Sequence, residues 1–304
     1  MLETPETPKQ PRFNEDFGGR RLAFRSLVEA RSAALLPGTP NPLSARIAQD
    51  VGFEALYLTG AGLTNTNLGL PDLGLITAND VIDMTARISD VCTLPLIVDM
   101  DTGFGNALNA YHTVRQLERA GASAIQIEDQ IFPKKCGHFA GKAVVPVEEM
   151  LGKLKACLDA RRDPNTSIIA RTDSRAVEGF EAALDRAYKM SEVGADIVFV
   201  EAPRSIEEIR AIGGLPKPQL INLVVGGQTP MLGLEELRDA GFSLVLYANA
   251  ALQASIKAIQ DVLTSLHTHG SLAEVEGQLA TFVERQRLVG KPEIDTLSER
   301  YRGA

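Results

Sequence analysis

The stretch LPLIVDMD, residues 94–101, is a short apolar run that closes on two carboxylates. It is brief for a buried helix, and it is apolar on both alternating faces until Asp99, as a strand covered on both sides would be. Seven other runs resemble it: SAALL (32–36), EALYLTG (54–60), SAIQIED (123–129), SIIARTD (167–173), DIVFVEA (196–202), PQLINLV (218–224) and SLVLYAN (243–249). Amphipathic stretches of helical period separate them, among them NDVIDMTARISDV (79–91), ALNAYHTVRQLERAG (107–121) and FEAALDRAYKMSEVG (180–194). The last two end in glycine just ahead of the next run, as a helix C-cap does. Eight strands alternating with helices predict an α/β protein built as one (β/α)8 (TIM) barrel. A doubly wound sheet is the rival architecture; the count of eight and the length of 304 residues favour the barrel.

Residues 19–304 read as that single barrel domain, and residues 1–18 as a flexible arm that is polar, proline-rich and partly acidic. The arm has neither the apolar core of a signal peptide nor the arginine-rich, acid-poor character of a transit peptide. Two helical segments, 251–270 and 273–290, follow the eighth run. The barrel needs one of them, so the second is assigned to packing between subunits. A hydrophobic content of 44% supplies a large core, and a net charge of −8 argues against a general nucleic-acid binder. No run approaches the roughly 18 apolar residues of a membrane span. Three cysteines, Cys92, Cys136 and Cys157, do not make a disulfide framework and read as reduced thiols of a cytoplasmic protein.

Nearly every run ends in a polar side chain. Asp99 and Asp101 close the third, Glu128 and Asp129 the fourth, Arg171 and Asp173 the fifth, Glu201 the sixth, Asn222 the seventh, and Tyr247 and Asn249 the eighth. The C-terminal ends of the strands are the face on which barrel enzymes build their sites. Helix capping offers an account of Asp129 and Asp173, but it does not explain several carboxylates converging on one mouth unless a cation sits among them. Asp99 and Asp101, at i and i+2, are expected to share a face. With Glu128 on the next strand they form an all-oxygen set that suits Mg2+ or Mn2+ rather than zinc. Asp72, in the loop GLPDLG, is a further candidate. Arg171 is placed to grip a substrate carboxylate, with a structural pairing to Glu201 as the alternative. The turn Thr59, Gly60, Ala61 offers backbone N–H groups to an anionic oxygen.

The segment DQIFPKKCGHFAGK (129–142) is long and polar for a βα connection. Loops of this kind act as lids. Lys134, Lys135 and His138 flank Cys136 and are expected to favour its thiolate. A cysteine so placed serves as nucleophile or as general acid/base; with a cation already supplying electrophilic activation, transfer of one proton is the simpler role. Cys92 and Cys157 read as packing residues. His112 falls on a helix face, and His267 and His269 in a polar turn; none reads as a ligand.

KKCGH (134–138), VDMDTGFG (98–105), IEDQ (127–130), LGLPDLG (68–74) and ARTD (170–173) together resemble the isocitrate lyase / phosphoenolpyruvate mutase superfamily, and the likeness runs over roughly residues 20–290. The resemblance is to its short branch of methylisocitrate and dimethylmalate lyases, oxaloacetate acetylhydrolase and the petal death protein. It implies a (β/α)8 barrel, Mg2+, homotetramers that swap a late helix between subunits, and an enolate-like 2-oxo acid. It implies that Asp99 and Asp101 hold the metal, that Asp72 and Glu128 reach it largely through water, and that Cys136 is the catalytic cysteine, with Gly137 and His138 completing its loop. Arg171 matches the substrate-carboxylate arginine, Thr59, Gly60 and Ala61 the substrate-binding turn, and Glu201 and Asn222 polar contacts.

Two positions depart from that pattern. Gln253 stands where methylisocitrate lyases carry an arginine, and Val225 where many members carry glutamate. Both changes remove a charge, which favours a dicarboxylate over a tricarboxylate. The expectation is therefore a Mg2+-dependent carbon–carbon lyase acting on a small 2-hydroxy dicarboxylate, a substituted malate or a compound of the 2-methylisocitrate type, and releasing a 2-oxo acid. The alternatives are an oxaloacetate hydrolase or decarboxylase, and a phosphonate P–C bond enzyme.

Overall fold

The computed structural model describes residues 16–137 and 141–302. Eight parallel strands form one sheet: β1 (Ala34–Pro37), β2 (Leu56–Leu58), β3 (Leu96–Asp99), β4 (Ala124–Glu128), β5 (Ser167–Thr172), β6 (Ile197–Val200), β7 (Gln219–Asn222) and β8 (Leu244–Tyr247). From β2 to β8 each strand pairs with the next in sequence, and β8 pairs with β1. The circle closes between β1 and β2 through a parallel bridge from Gly38 to Tyr57, with Thr39 N donating to Tyr57 O at 2.8 Å. Seven of the expected runs contain their strands; the first overlaps its strand, which starts two residues after SAALL begins and ends one residue beyond it, at Pro37. The barrel expectation is met.

Local signals set the helices. Asn106 and Asn109 make a reciprocal capping box at the start of Ala107–Arg119, and Thr77 and Asp80 do the same for Ala78–Val91. Gly194, at φ 117°, ends Phe180–Val193 in a left-handed conformation that suits glycine.

Two apolar layers result. The larger lies between sheet and helices and includes Leu56, Leu58, Val98, Ile125, Ile127, Ile168 and Val198. The smaller fills the barrel: Leu36, Tyr57, Ile97, Ala124, Ile169, Ile197, Phe199, Leu220, Leu244 and Leu246. Phe24 and Val28 belong to this inner layer, so the helix Phe17–Glu29 plugs the barrel. Truncating the fully buried Phe24 to alanine would cost about 3–5 kcal/mol. Phe17 and Gly18, assigned to the arm from the sequence, belong to this helix. Asp16 accepts a hydrogen bond from Gly19 N at 2.9 Å and starts a helix that includes Phe17 and Gly18. The glycine pair in FGGRRL hid that start, because glycine scores as a poor helix former.

Beyond β8 the chain forms the helix Ala250–His269, a 3-10 turn Ala273–Gln278, and the helices Phe282–Leu288 and Lys291–Tyr301. His267 and His269 lie in the last turn of the first of these, not in a loop. That helix buries one residue of its own, Leu252, while Ile256, Ile259, Leu263 and Leu266 stay exposed. No helix among the described residues is long and apolar enough to cross a membrane.

Candidate active site

Side chains alternate across a strand, so the inner apolar layer dictates what stands above it. Two residues beyond Ile97 is Asp99; beyond Ala124 come Gln126 and Glu128. Ile169 is followed at the same spacing by Arg171, Phe199 by Glu201, and Leu220 by Asn222. The barrel interior is thus apolar below and charged at the C-terminal mouth. A narrow cavity of about 40 Å³ there is lined by Thr59, Ala61, Asp72, Asp99, Glu128, Lys134, Cys136, Gly137, Arg171, Glu201 and Asn222. Tyr57, Lys135, Phe199, Leu246, Ala248 and Asn249 complete it. Gly60 borders the same space: a Cβ there would lie 3.0 Å from Asp101 Oδ1 and 3.4 Å from Asp99 Oδ2.

Asp101 does not extend the strand. Its φ of 50° turns the chain past the end of β3, and its N–H donates to Asp99 Oδ1 at 3.1 Å. The two aspartates converge over Gly60 through this turn rather than through the alternation expected of a strand. Gln126 Nε2, inside the barrel, holds Asp99 Oδ1 at 3.2 Å.

Lys134 Nζ lies 2.8 Å from both Asp72 and Asp101, with its side chain 4% exposed. Burial pulls this ammonium down, but Asp101, Asp72, Asp99 and Glu128 prevail and hold it well above the ordinary lysine range. Lys134, expected beside the cysteine, is thus also the counter-ion of these two acids. Burial pushes Asp101 up to about 7; Lys134 opposes the rise, while the neighbouring carboxylates Asp99 and Asp72 add to it. Glu128 is pushed well up, by burial first, against the pull of Arg171.

Those raised carboxyls fit a divalent cation, whose charge would favour the ionised forms. Among the described residues, however, no three acidic, histidine or cysteine side chains close as a ligand cluster. Asp99 and Asp101 meet at Gly60, whereas Glu128 Oε2 is 3.3 Å from Arg171 Nε and Asp72 pairs with Lys134. Two close carboxylates with further acids at a distance suit Mg2+, which keeps several of its waters.

Arg171 is a hub. Its Nε and Nη2 donate to Asp173 at 2.8 and 3.1 Å, and Nη2 lies 3.5 Å from Glu201. Nη1 takes no part in these pairs. The guanidinium carbon stands 5.2 Å from the centroid of the Phe199 ring, a cation–π contact. Asp173 stands at a helix N-cap position yet makes no side-chain cap hydrogen bond. Burial pushes its carboxyl up, but Arg171 and Lys142 overcome this and hold it at about 2. Asp129 is no cap either: it accepts from Thr172 Oγ1 at 2.7 Å and Asp173 N at 2.8 Å and pairs with Arg186 at 3.2 Å. The helix-capping account fails for both acids. Arg171 pairs with Asp173 more closely than with the expected Glu201, because Asp173 is on the same strand end.

The cysteine loop lies against this hub. Cys136 N donates to Asp72 O at 3.3 Å, and a Cβ at Gly137 would collide with Arg171 Nη2 and approach Glu201 Cδ to 2.8 Å. Cys136 is half-buried, Cys92 and Cys157 are buried, and none of the three is disulfide-bonded. His138 lies outside the described residues. His112 faces its own helix neighbour Gln116 at 3.3 Å. Val225 is 64% exposed, Gln253 is exposed, and neither lines the cavity. Tyr57, Phe199 and Gln126 were missed because they read as interior strand residues; their polar or aromatic ends matter only once the barrel closes.

A (β/α)8 barrel with an acid-rich mouth and a cysteine loop over an arginine defines a class of enzymes acting on small carboxylates. Within it, the chain belongs to the phosphoenolpyruvate phosphomutase family, whose model matches residues 24–267. It is 46% identical over 270 residues to a 2-methylisocitrate lyase of Aeropyrum pernix, spanning 88% of this chain and 87% of that protein. It is 39% identical over 279 residues to the 2,3-dimethylmalate lyase of Eubacterium barkeri, spanning 91% and 96%. The solved structure of an oxaloacetate acetylhydrolase bound to 3,3-difluorooxalacetate superposes with a TM-score of 0.89 at 34% identity, covering 96% of this chain and 99% of that one.

Proposed function

We propose that the protein is a Mg2+-dependent carbon–carbon lyase that cleaves a small 2-hydroxy dicarboxylate into a 2-oxo acid and a second acid. The observation that carries this reading is the packing of the Cys136–Gly137 peptide onto Arg171 and Glu201, which sets a thiol beside a carboxylate-binding guanidinium. A cation at Asp99 and Asp101 would supply positive charge to the developing oxyanion. Arg171, held on one edge by Asp173, presents its Nη1 side to the substrate carboxylate, and the Thr59–Gly60–Ala61 turn offers N–H groups to the oxygens beside it. Glu128, whose proton affinity burial has raised, accepts the hydroxyl proton. The C–C bond breaks, its electron pair passes to the departing carbon, and the Cys136 thiol gives that carbon its proton. His138 is assigned to the same loop by sequence alone.

Relatives that act on 2-methylisocitrate and 2,3-dimethylmalate support the lyase reading. The cavity's cationic lining is Arg171 with Lys134 and Lys135, and Lys134 is committed to Asp72 and Asp101. That leaves little to bind a third carboxylate and favours a substituted malate. The exposed apolar residues Ile256, Ile259, Leu263 and Leu266 of Ala250–His269 support a homotetramer in which a late helix packs on a neighbour. A cytoplasmic location, with neither nucleic acid nor membrane as partner, accords with the net charge of −8 and the reduced cysteines.

The test is a panel of substituted malates, 2-methylisocitrate, oxaloacetate and phosphonopyruvate incubated with Mg2+, with 2-oxo acid release measured. Turnover of a substituted malate is expected. Hydrolysis of oxaloacetate with no lyase activity would replace the reading with a hydrolase.

A further inference from the structure

The cysteine loop is tied to the barrel by a residue that no part of the reaction above requires. Lys142 Nζ donates to Gly137 O and also to Asp173 Oδ1, the latter at 2.7 Å, with its side chain 2% exposed. Gly137 is bonded to Cys136, and Asp173 holds Arg171 through Nε and Nη2. One ammonium therefore spans the peptide that carries the thiol and the carboxylate that orients the arginine.

The loop's other ties lie elsewhere. A bridge between Gln130 and Val144 and the bond from Ile131 N to Ala143 O clasp its two stems, while Gln130 holds the Lys135 backbone at 2.9 and 3.0 Å. Cys136 N binds Asp72 O, but among the described residues Lys142 alone fastens the Gly137 carbonyl to the strand end that bears Arg171.

We infer that Lys142 is a positioning residue: its ammonium fixes the Cys136–Gly137 peptide against the Arg171–Asp173 pair and so sets where the thiol stands when a carboxylate is bound. The inference rests on the proposed lyase reading, yet it makes a statement about the thiol that turnover is not needed to test. A hydrogen bond involving a charged group is worth enough to shift a loop's population about tenfold or more.

The experiment is alkylation of native protein by iodoacetamide, read at each cysteine by mass spectrometry across pH. Cys92 and Cys157 are buried, so the reaction reports Cys136. The plateau rate at high pH reads access to the thiol, and the midpoint reads the charge around it. In Lys142→Met the plateau rate is expected to rise about tenfold, with Lys142→Arg restoring most of the difference. On any substrate the panel identifies, kcat is expected to fall at least tenfold in Lys142→Met while Kd for oxalate changes less than about threefold. Lys142→Gln repeats the measurement if Lys142→Met does not fold. An unchanged plateau rate overturns the inference, even if kcat falls, because Lys142 would then act on Arg171 alone. Should the panel show no lyase activity while the plateau rises, the positioning of the thiol stands and the lyase reading fails.

Discussion

Lys134 Nζ sits 2.8 Å from Asp101 Oδ1, and both side chains are about 95% buried. A lysine and an aspartate so deeply enclosed are costly to separate, and the pair occupies the space over Gly60 where Asp99 also points. The acids of the mouth are thus partly neutralised by the cysteine loop itself, yet burial, with Asp99 and Asp72 adding to it, still raises Asp101 to about 7.

That value sets a pH dependence. A carboxyl raised in the folded state takes up its proton as pH falls through about 7, and a proton there competes with a cation. The apparent affinity for Mg2+ should fall about tenfold per pH unit below that point, measured by calorimetry between pH 6 and 8. The sign for stability is the reverse of a salt-bridged acid: the metal-free protein loses stability as pH rises from about 4 towards 7. Mg2+ should accordingly raise Tm more at pH 8 than at pH 6. Equal Tm increments at the two pH values would remove Asp101 from the cation site.

Gly60 offers a probe of the same space. It opens the helix Gly60–Leu68 at ordinary φ, so alanine there meets no backbone strain, yet its methyl would stand 3.0 Å from Asp101 Oδ1. Gly60→Ala should weaken Mg2+ binding at least tenfold while shifting stability by no more than about 1 kcal/mol. Wild-type affinity in this variant would place the cation elsewhere.

Cys136→Ser should reduce kcat by about 10² to 10⁴, the range assigned to a positioned proton donor. Binding of oxalate and Mg2+ should stay within about threefold of wild type, because the thiol contributes to neither. Undiminished turnover would leave the final protonation to some other group.

Asp173→Asn removes the carboxylate shared by Arg171 and Lys142 and leaves two buried cations short of a counter-charge. The expected loss is about 3–5 kcal/mol, read by urea denaturation at pH 7. Asp173, held at about 2, stabilises the fold above the ordinary aspartate range, and that contribution disappears as pH falls from about 4 to 2. The variant should therefore lose less stability than the native protein over that interval; parallel acid curves would mean that Asp173 is not the linked group.

The eight strands were legible because each is a compact apolar run between amphipathic segments, and burial on both faces is written into composition. The positions of Asp99, Glu128, Arg171, Glu201 and Asn222 were legible for the same reason: a charge ending an apolar strand stands out. The helix Phe17–Glu29 was not legible, since its glycines lower its propensity and its reason for folding, the barrel floor that Phe24 fills, is distant in sequence. Asp129 and Asp173 were open to a helix-cap reading because a carboxylate before a helix looks the same whether it binds the helix N-terminus or an arginine.

By itself the sequence determined the alternation of strand and helix, the class of barrel, and which residue types crowd one end of it, since periodicity and hydrophobicity act locally along the chain. Only the tertiary structure decided the partners: that Lys134 pairs with Asp72 and Asp101, that Arg171 leans on Asp173, and that Lys142 joins loop to strand. Such choices depend on distances between segments 2 to 62 residues apart and on burial that makes every unpaired charge expensive.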